Sequence, residues 1–412
     1  MSFELPAKPA SYSRRAAVGL LLAGLTGSAA HFAVPGRQHA TFVPKKKRPA
    51  GPPLKEWPTL DVLAQKMVDR KLVPGASVSV AHDGVLLYSK GFGMANLETQ
   101  TPLTSQTGLR IASITKQFTA ASILKLAEQG KLSVDDHLSR FLPDFPKAEN
   151  ITLSQLMSHT SGMGDYINGQ DMGILTEAQR RDYNSDEVIH VIKASHPLYR
   201  TQPGAAWLYS NSGFALLGIV VEKVSGKSFA DFAQAELFTP AGLDDTLIEK
   251  TCNSTATCGS YRANYRAPHG FDPILPVSAS FIGGAGAIRS TTDDLCRWHA
   301  ALLNGKVLNE VSLKAMTTPA YLRNGTPAME RRGNEPLEYG YGLGLGNDDS
   351  RPFIAHGGRI NGYTGHLRSY TDEKLSVAIL YNCDGSGVSG FPGAHKAVRN
   401  EAVRLGMAEL IA

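Results

Sequence analysis

Strand-forming runs stand at both ends of the body of this chain, with helical patterns between them, and that distribution limits its topology more than any other feature. Near the start, Ala76 to Ala81 and Val85 to Tyr88 flank His82-Asp83-Gly84, and Asp-Gly between apolar runs marks a hairpin turn. In the last third, Tyr341 to Leu345, Phe353 to His356, Gly362 to Tyr370 and Leu375 to Tyr381 are strand-like, with a polar turn at Thr371 to Lys374. From about Leu132 to Asn304 the pattern is short helices and long loops punctuated by Gly and Pro. Leu60 to Leu72 has a helical apolar period, Ile114 to Gln129 reads as a helix stopped by Gly130, and Ala394 to Leu410 reads as an amphipathic closing helix. The expected architecture is α+β, an α/β sandwich. One antiparallel sheet is built from N- and C-terminal segments and flanked by helices, with a mainly helical lobe inserted at about 132–304. At 412 residues and 42% hydrophobic content the chain can fill such a core without disulfide staples.

The formal charge of +5 does not belong to that body. Residues 1–30 carry Lys8, Arg14, Arg15 and Glu4, and the Pro-rich stretch 31–56 carries Arg37, Lys45, Lys46, Lys47, Arg48, Lys55 and Glu56. Residues 57–412 are therefore slightly acidic, which gives no basis for a nucleic-acid partner. Ser13-Arg14-Arg15, the apolar Ala16 to Leu25 and the small residues Gly27 to Ala30 read as an export signal, with cleavage after Ala30. The arginine pair resembles a twin-arginine leader, although Ala17 and Val18 stand where such leaders carry Phe and Leu. The expectation is a periplasmic or secreted protein with domains 1–30 (signal), 31–56 (tether) and 57–412 (body). No stable membrane insertion is expected after cleavage, since no apolar run of 18 residues lies outside the N-terminus. Of four cysteines, Cys252 and Cys258 are the expected bridge, and Cys296 and Cys383 the expected packing residues.

Chemistry is concentrated in three short segments. Ser113-Ile114-Thr115-Lys116 opens the first long helix, and residues three apart on a helix share a face. A serine hydroxyl needs a neighbour to take its proton, and a lysine in a dry site can do so. Tyr209-Ser210-Asn211 supplies a phenol able to relay a proton and an amide able to grip an acyl chain. His356-Gly357-Gly358, at a strand end, lets a substrate approach the backbone closely, and the amides that follow can face an oxyanion. Gly226-Lys227-Ser228 is not a phosphate loop, because Val221 occupies the upstream glycine position.

These three segments, in this order, resemble the serine β-lactamase and penicillin-binding superfamily. The branch is the one with class C β-lactamases, D-alanyl-D-alanine carboxypeptidases, D-aminopeptidases and related esterases. The likeness runs from about Leu60 to Leu405. It takes in Leu156-Met157-Ser158-His159-Thr160-Ser161-Gly162, Gly283-Gly284-Ala285-Gly286, Ser290 to Leu295 and Tyr341-Gly342-Leu343-Gly344. The resemblance implies a β-lactamase/transpeptidase-like fold, Ser113 as acylated nucleophile, Lys116 as its proton acceptor and Tyr209 as the coupled base or shuttle. It further implies Asn211, His356, Gly357 and Gly358 at the substrate, and the backbone amides of Ser113 and Arg359 as the oxyanion hole. No metal or organic cofactor is implied.

Relatives acting on β-lactams or free D-Ala carboxylates usually carry a hydroxyl residue where this chain has Gly357. The expected activity is therefore serine hydrolysis of an amide or ester in small peptides, D-aminopeptidase-like, or of carboxylic esters. The alternatives are a β-lactamase or D-alanyl-D-alanine carboxypeptidase and, outside enzymes, an inactive binder of cell-wall peptides. The partner is a small molecule or short peptide. His159 is expected to fix a loop, Trp207 to be core, and Asp293 and Asp294 to lie in the first turn of a helix. The Arg359 side chain is either an anion clamp or a rim residue.

Overall fold

Asp83 and Gly84 both take positive φ, 46° and 79°, and turn β1 (Gly75–His82) back into β2 (Val85–Asn96), as the Asp-Gly pair predicts. The computed structural model describes residues 52–168, 172–250, 258–267, 269–331, 336–385 and 388–411, with the side chains of 172–174 also outside that description. The export signal and residues 31–51 of the tether fall outside the described residues. The last tether residues are docked on the body: Lys55 pairs with Glu409 at 2.7 Å, and Lys90 reaches Glu56 at 2.5 Å.

After β3 (Thr101–Pro102) the main sheet resumes only in the last third, with β4 (Met329–Glu330), β5 (Leu337–Tyr339), β6 (Gly344–Asp348), β7 (Arg351–Ile360), β8 (Tyr363–Tyr370) and β9 (Leu375–Tyr381). The order across the sheet is β3-β2-β1-β9-β8-β7-β6-β5-β4, antiparallel throughout. The first strand of the body thus lies against the last, with Val78 opposite Ile379. The sheet drawn from both ends of the chain is the one the sequence predicts.

Helices cover both faces. On one side α1 (Pro58–Asp69) and α5 (Phe391–Glu409) bury Leu60, Ala64, Met67, Val398 and Ala402 against Val78, Val80, Val377 and Ile379. On the other lie α2 (Thr115–Glu128) and α4 (Thr292–Leu303), with α3 (Asn211–Ser225) beyond α2 in the inserted lobe. Phe118 of α2 stacks on Trp298 of α4 at 4.0 Å. Among the described residues no helix is long and apolar enough to cross a membrane.

Two expectations need correction. The strand expected at Tyr341–Leu345 starts only at Gly344, because Tyr341 and Gly342 form a wedge beneath α2. Gly342 has φ 71°, and a Cβ there would sit 2.6 Å from the Lys116 carbonyl. The inserted lobe is mainly helical and carries two short ladders as well: Ile288–Ser290 pairs with Leu109–Arg110 and Leu247–Ile248, and Tyr261–Ala263 with Phe271–Pro273. It also ends before Thr292 rather than at Asn304, since α4 is pinned to the sheet through Thr292, whose Oγ1 lies 2.7 Å from both Ser77 and Ser79 Oγ. Cys258 is a buried free thiol, pushed up to about 12 by burial, and its expected partner Cys252 lies outside the described residues. Cys296 and Cys383 are buried free thiols, as packing residues should be.

Candidate active site

Ser113 sits in a single turn of 3-10 helix, Ala112–Ile114, that feeds directly into α2. Ala112 holds φ 48°, a conformation unfavourable for an L residue, so the chain turns sharply just before the serine. Lys116 follows one turn later and is fully buried. Its Nζ donates to Ser113 Oγ at 3.1 Å, to Asn211 Oδ1 at 2.8 Å and to the Ala285 carbonyl at 2.8 Å. Tyr209 OH donates to Ser113 Oγ at 2.6 Å. Lys116 Nζ also lies over the Tyr209 ring, 4.8 Å from its centroid. The segment of Ser113 and Lys116 and that of Tyr209 and Asn211, far apart in the chain, meet as the sequence predicts.

The Tyr209-Ser210-Asn211 segment is held from three sides. Ser210 caps α3 by accepting from Gly213 N at 3.2 Å, and its hydroxyl donates to the Gly164 carbonyl at 2.7 Å. Ser210 N donates to His159 Nδ1 at 3.2 Å, and Leu208 N to the His159 carbonyl at 2.8 Å. His159, buried at φ 59°, fixes this loop as expected, and its ring lies 4.4 Å from that of Tyr209. Trp207, half-buried, packs edge-on against His159 at 5.6 Å.

The third segment lies at the C-terminal end of β7. His356 lines the cavity, with Nε2 3.0 Å from Tyr339 OH and Nδ1 2.5 Å from the Gly357 carbonyl. A Cβ on Gly358 would lie 2.1 Å from the Ile111 carbonyl, so only glycine lets β7 come this close to the turn bearing Ser113. The two expected oxyanion amides belong to the segments that meet there. Gly357 is open: a Cβ would touch only the Gly365 carbonyl, at 3.9 Å. The Arg359 side chain is exposed and lines the same cavity of about 640 Å³ as Ser113, Tyr209 and Asn211.

Three participants escaped sequence reasoning. Asp165 accepts from Asn211 Nδ2 at 2.9 Å and so orients the amide that holds Lys116. The Ala285 carbonyl is hidden because a backbone group leaves no mark on composition; its segment, Gly283 to Gly286, stands out only through the resemblance. Tyr339 bridges His356 and the His159 ring, 5.0 Å away. Asp165 had only a positional signal, three residues beyond Gly162 in a loop already singled out. Among the described residues no group of three or more His, Cys, Asp or Glu is placed to hold a metal ion. Asp293 and Asp294 do open α4, and Asp293 also accepts from Ser79, Ser89 and Gln106, which ties the helix to the sheet.

This arrangement can activate a hydroxyl and hold an acyl chain beside it, and known proteins share its frame. A family model described as Beta-lactamase matches residues 60–399. Penicillin-binding protein 4* of Bacillus subtilis (strain 168) is 30% identical over 317 residues, covering 74% of this chain and 67% of its own length. A D-aminopeptidase of Gluconobacter oxydans (strain 621H) is 29% identical over 312 residues, covering 75% of this chain and 56% of its own length. The chain thus spans from just over half to two thirds of these relatives. Among solved structures, the octameric penicillin-binding protein homologue from Pyrococcus abyssi superposes with a TM-score of 0.71 at 27% identity, covering 85% of this chain and 77% of its own. The fold, its occupied motif positions and these matches together make the chain a member of the beta-lactamase family and, with it, a serine hydrolase.

Proposed function

We propose that this chain is an exported hydrolase that opens an amide or ester bond through an acyl-enzyme on Ser113, acting on small peptides in the manner of a D-aminopeptidase or on carboxylic esters. The observation that carries the reading is Ser113 Oγ held between Tyr209 OH at 2.6 Å and Lys116 Nζ at 3.1 Å in the cavity. As the neutral amine, Lys116 keeps two N–H donors on Asn211 and Ala285 and turns its lone pair to the serine proton. Ser113 Oγ then attacks the carbonyl carbon, and the oxyanion is met by the amides of Ser113 and Arg359. Collapse breaks the bond to the leaving nitrogen or oxygen, which takes its proton through Tyr209. Water repeats the sequence on the acyl-enzyme and returns the proton to Ser113.

The curated name of the Gluconobacter relative supports the D-aminopeptidase side of this reading. Gly357 supports a leaving side without a charge next to the scissile bond, because no hydroxyl stands there to receive a carboxylate. The leader at 1–30 supports export, and fractionation of cells expressing the full chain tests that part. The chemical test is a fluorophosphonate probe together with D- and L-aminoacyl p-nitroanilides, D-Ala-D-Ala peptides, p-nitrophenyl esters and nitrocefin. Wild type should be labelled and turn over anilides or esters fastest, while Ser113→Ala loses both and keeps its fold. Labelling that survives in Ser113→Ala removes the serine from the mechanism, and an unlabelled wild type leaves the inactive binder.

A further inference from the structure

The cavity that holds Ser113 does not end at the sheet. Gly357 is directly opposite His366 in the β7–β8 ladder, so both point to the same face. Phe353 and Ala355, in step with Gly357 along β7, belong to the core beneath α1 and α5, whereas Ile354, in step with His356 and Gly358, belongs to the opposite core. Ser113, Tyr209 and Asn211 lie on the second side, yet His366 and His395, which lie on the first, line the same cavity. It therefore wraps around β7. Two features allow this. Pairing of β6 with β7 stops at Gly344 opposite Ala355, so among the described residues, 356–360 have no strand partner on that side and form a rim. Gly357 then leaves a gap in that rim, where a Cβ would meet nothing closer than 3.9 Å.

The far side of the gap is built rather than merely open. His366 meets His395 edge-on with ring centroids 5.5 Å apart, and His395 is set by Tyr381, whose OH lies 3.1 Å from its Nδ1, and by the stacked ring of Phe391. His366 Nε2 is buried with no hydrogen-bond partner among the described residues. Burial, reinforced by His395, Arg368, Arg399 and His356, pushes His366 well below the usual histidine range and keeps it neutral. A neutral imidazole offers one donor and one acceptor, the same pair an amide presents. Arg359 lines the cavity together with Asp384 and Glu330, of opposite charge, so it has no single sign to select an ion.

We propose that the leaving side of the substrate crosses β7 at Gly357 and seats an uncharged, amide-bearing group against the His366–His395 pair, so that leaving groups extending at least one residue beyond the scissile bond are preferred. This rests on the acyl-enzyme reading of Ser113 and names the substrate class that site takes. The gap at Gly357 thus admits a longer leaving group, besides lacking a hydroxyl for a short charged one.

The test uses one acyl group with three leaving groups: methylamine, glycinamide and glycylglycine as the free acid. In wild type kcat/KM should rise about tenfold from methylamide to glycinamide, the value of one well-made hydrogen bond. In His366→Phe, and separately in Gly357→Val, whose side chain has room at the rim, that ratio should collapse towards one. Fluorophosphonate labelling of Ser113 in each variant reports that the site is still folded. A wild-type ratio near one, or a ratio that survives both substitutions, overturns the proposal. A larger gain with the free acid than with the amide overturns its uncharged assignment. Failure of wild type to label at Ser113 would instead sink the acyl-enzyme reading on which it rests.

Discussion

Along β1 the residues alternate Ser77, Val78, Ser79, Val80, and the two sets face different proteins in all but name. The valines look towards α1 and α5, into a core with Met67, Ile379 and Ala402. The serines look towards α4, where Ser79 donates to Thr292 at 2.7 Å and to Asp293 at 2.6 Å. Farther across the same face, His299 Nδ1 lies 2.7 Å from Ser369 Oγ, and Ser369 is 2.6 Å from Ser376. Burial of apolar area is strong but non-directional, and it holds helices against a sheet without fixing their rotation. Hydrogen bonds do fix it. His299 Nε2 and Trp298 Nε1 both reach Gln117 Oε1, at 2.8 and 3.0 Å, one residue from Lys116. The hydrogen bonds on the α4 face thus set the orientation of the helix that carries Lys116, while apolar burial supplies stability, undiluted by such bonds on the α1–α5 face.

That division can be broken first at the chemistry. Lys116→Ala and Tyr209→Phe should each lower kcat by about 10²–10⁴-fold, and the double variant by far less than the product, since both serve one proton path. Multiplicative losses in steady-state kinetics would mean two independent paths. On the α1–α5 face, Leu60→Ala removes a fully buried side chain and should cost about 2–5 kcal/mol in urea unfolding while leaving kcat unchanged. A fall in kcat there would show that the faces are coupled.

The smallest effect sharpens the comparison through pH. Burial lowers His299 from 6.5 to about 3 in the folded protein. Its contribution to stability is complete above pH 6.5, where both states are neutral, and is lost as pH falls towards 3, because the unfolded chain takes the proton first. Unfolding free energy should fall by up to about 1.4 kcal/mol per pH unit in that window from this residue, and His299→Gln should lose that part of the slope. An unchanged slope would move the acid sensitivity to other groups.

What the sequence disclosed follows from how local each signal is. Asp83-Gly84 sets a turn through its own φ values, and Leu375–Tyr381, apolar at nearly every position, reads as a strand with the bounds it has in the fold, where both its faces are buried. Ser113 and Lys116 are joined by helical spacing, which any reader of the chain can count. Asp165, the Ala285 carbonyl and Tyr339 act across long separations and have no spacing to reveal them. The shift of β6 to Gly344 depends on Gly342 passing beneath α2, a contact that exists only in the folded molecule. His366 and His395 are invisible as a pair because strand pairing sets His366 opposite Gly357 and the packing of α5 brings His395 to it.

The neighbour relation of β1 and β9 governs the order in which the molecule can be made. Until β9 has been synthesised, β1 and β8 both present unpaired edges in what will become the middle of the sheet, with no short loop to close the gap between them. A nascent chain halted before Leu375 would therefore carry its stickiest backbone at its future centre, where edge charges and bulges offer no protection. Closure waits for β9 to emerge, and the cleft around Ser113, one wall of which is β7, cannot be complete before then.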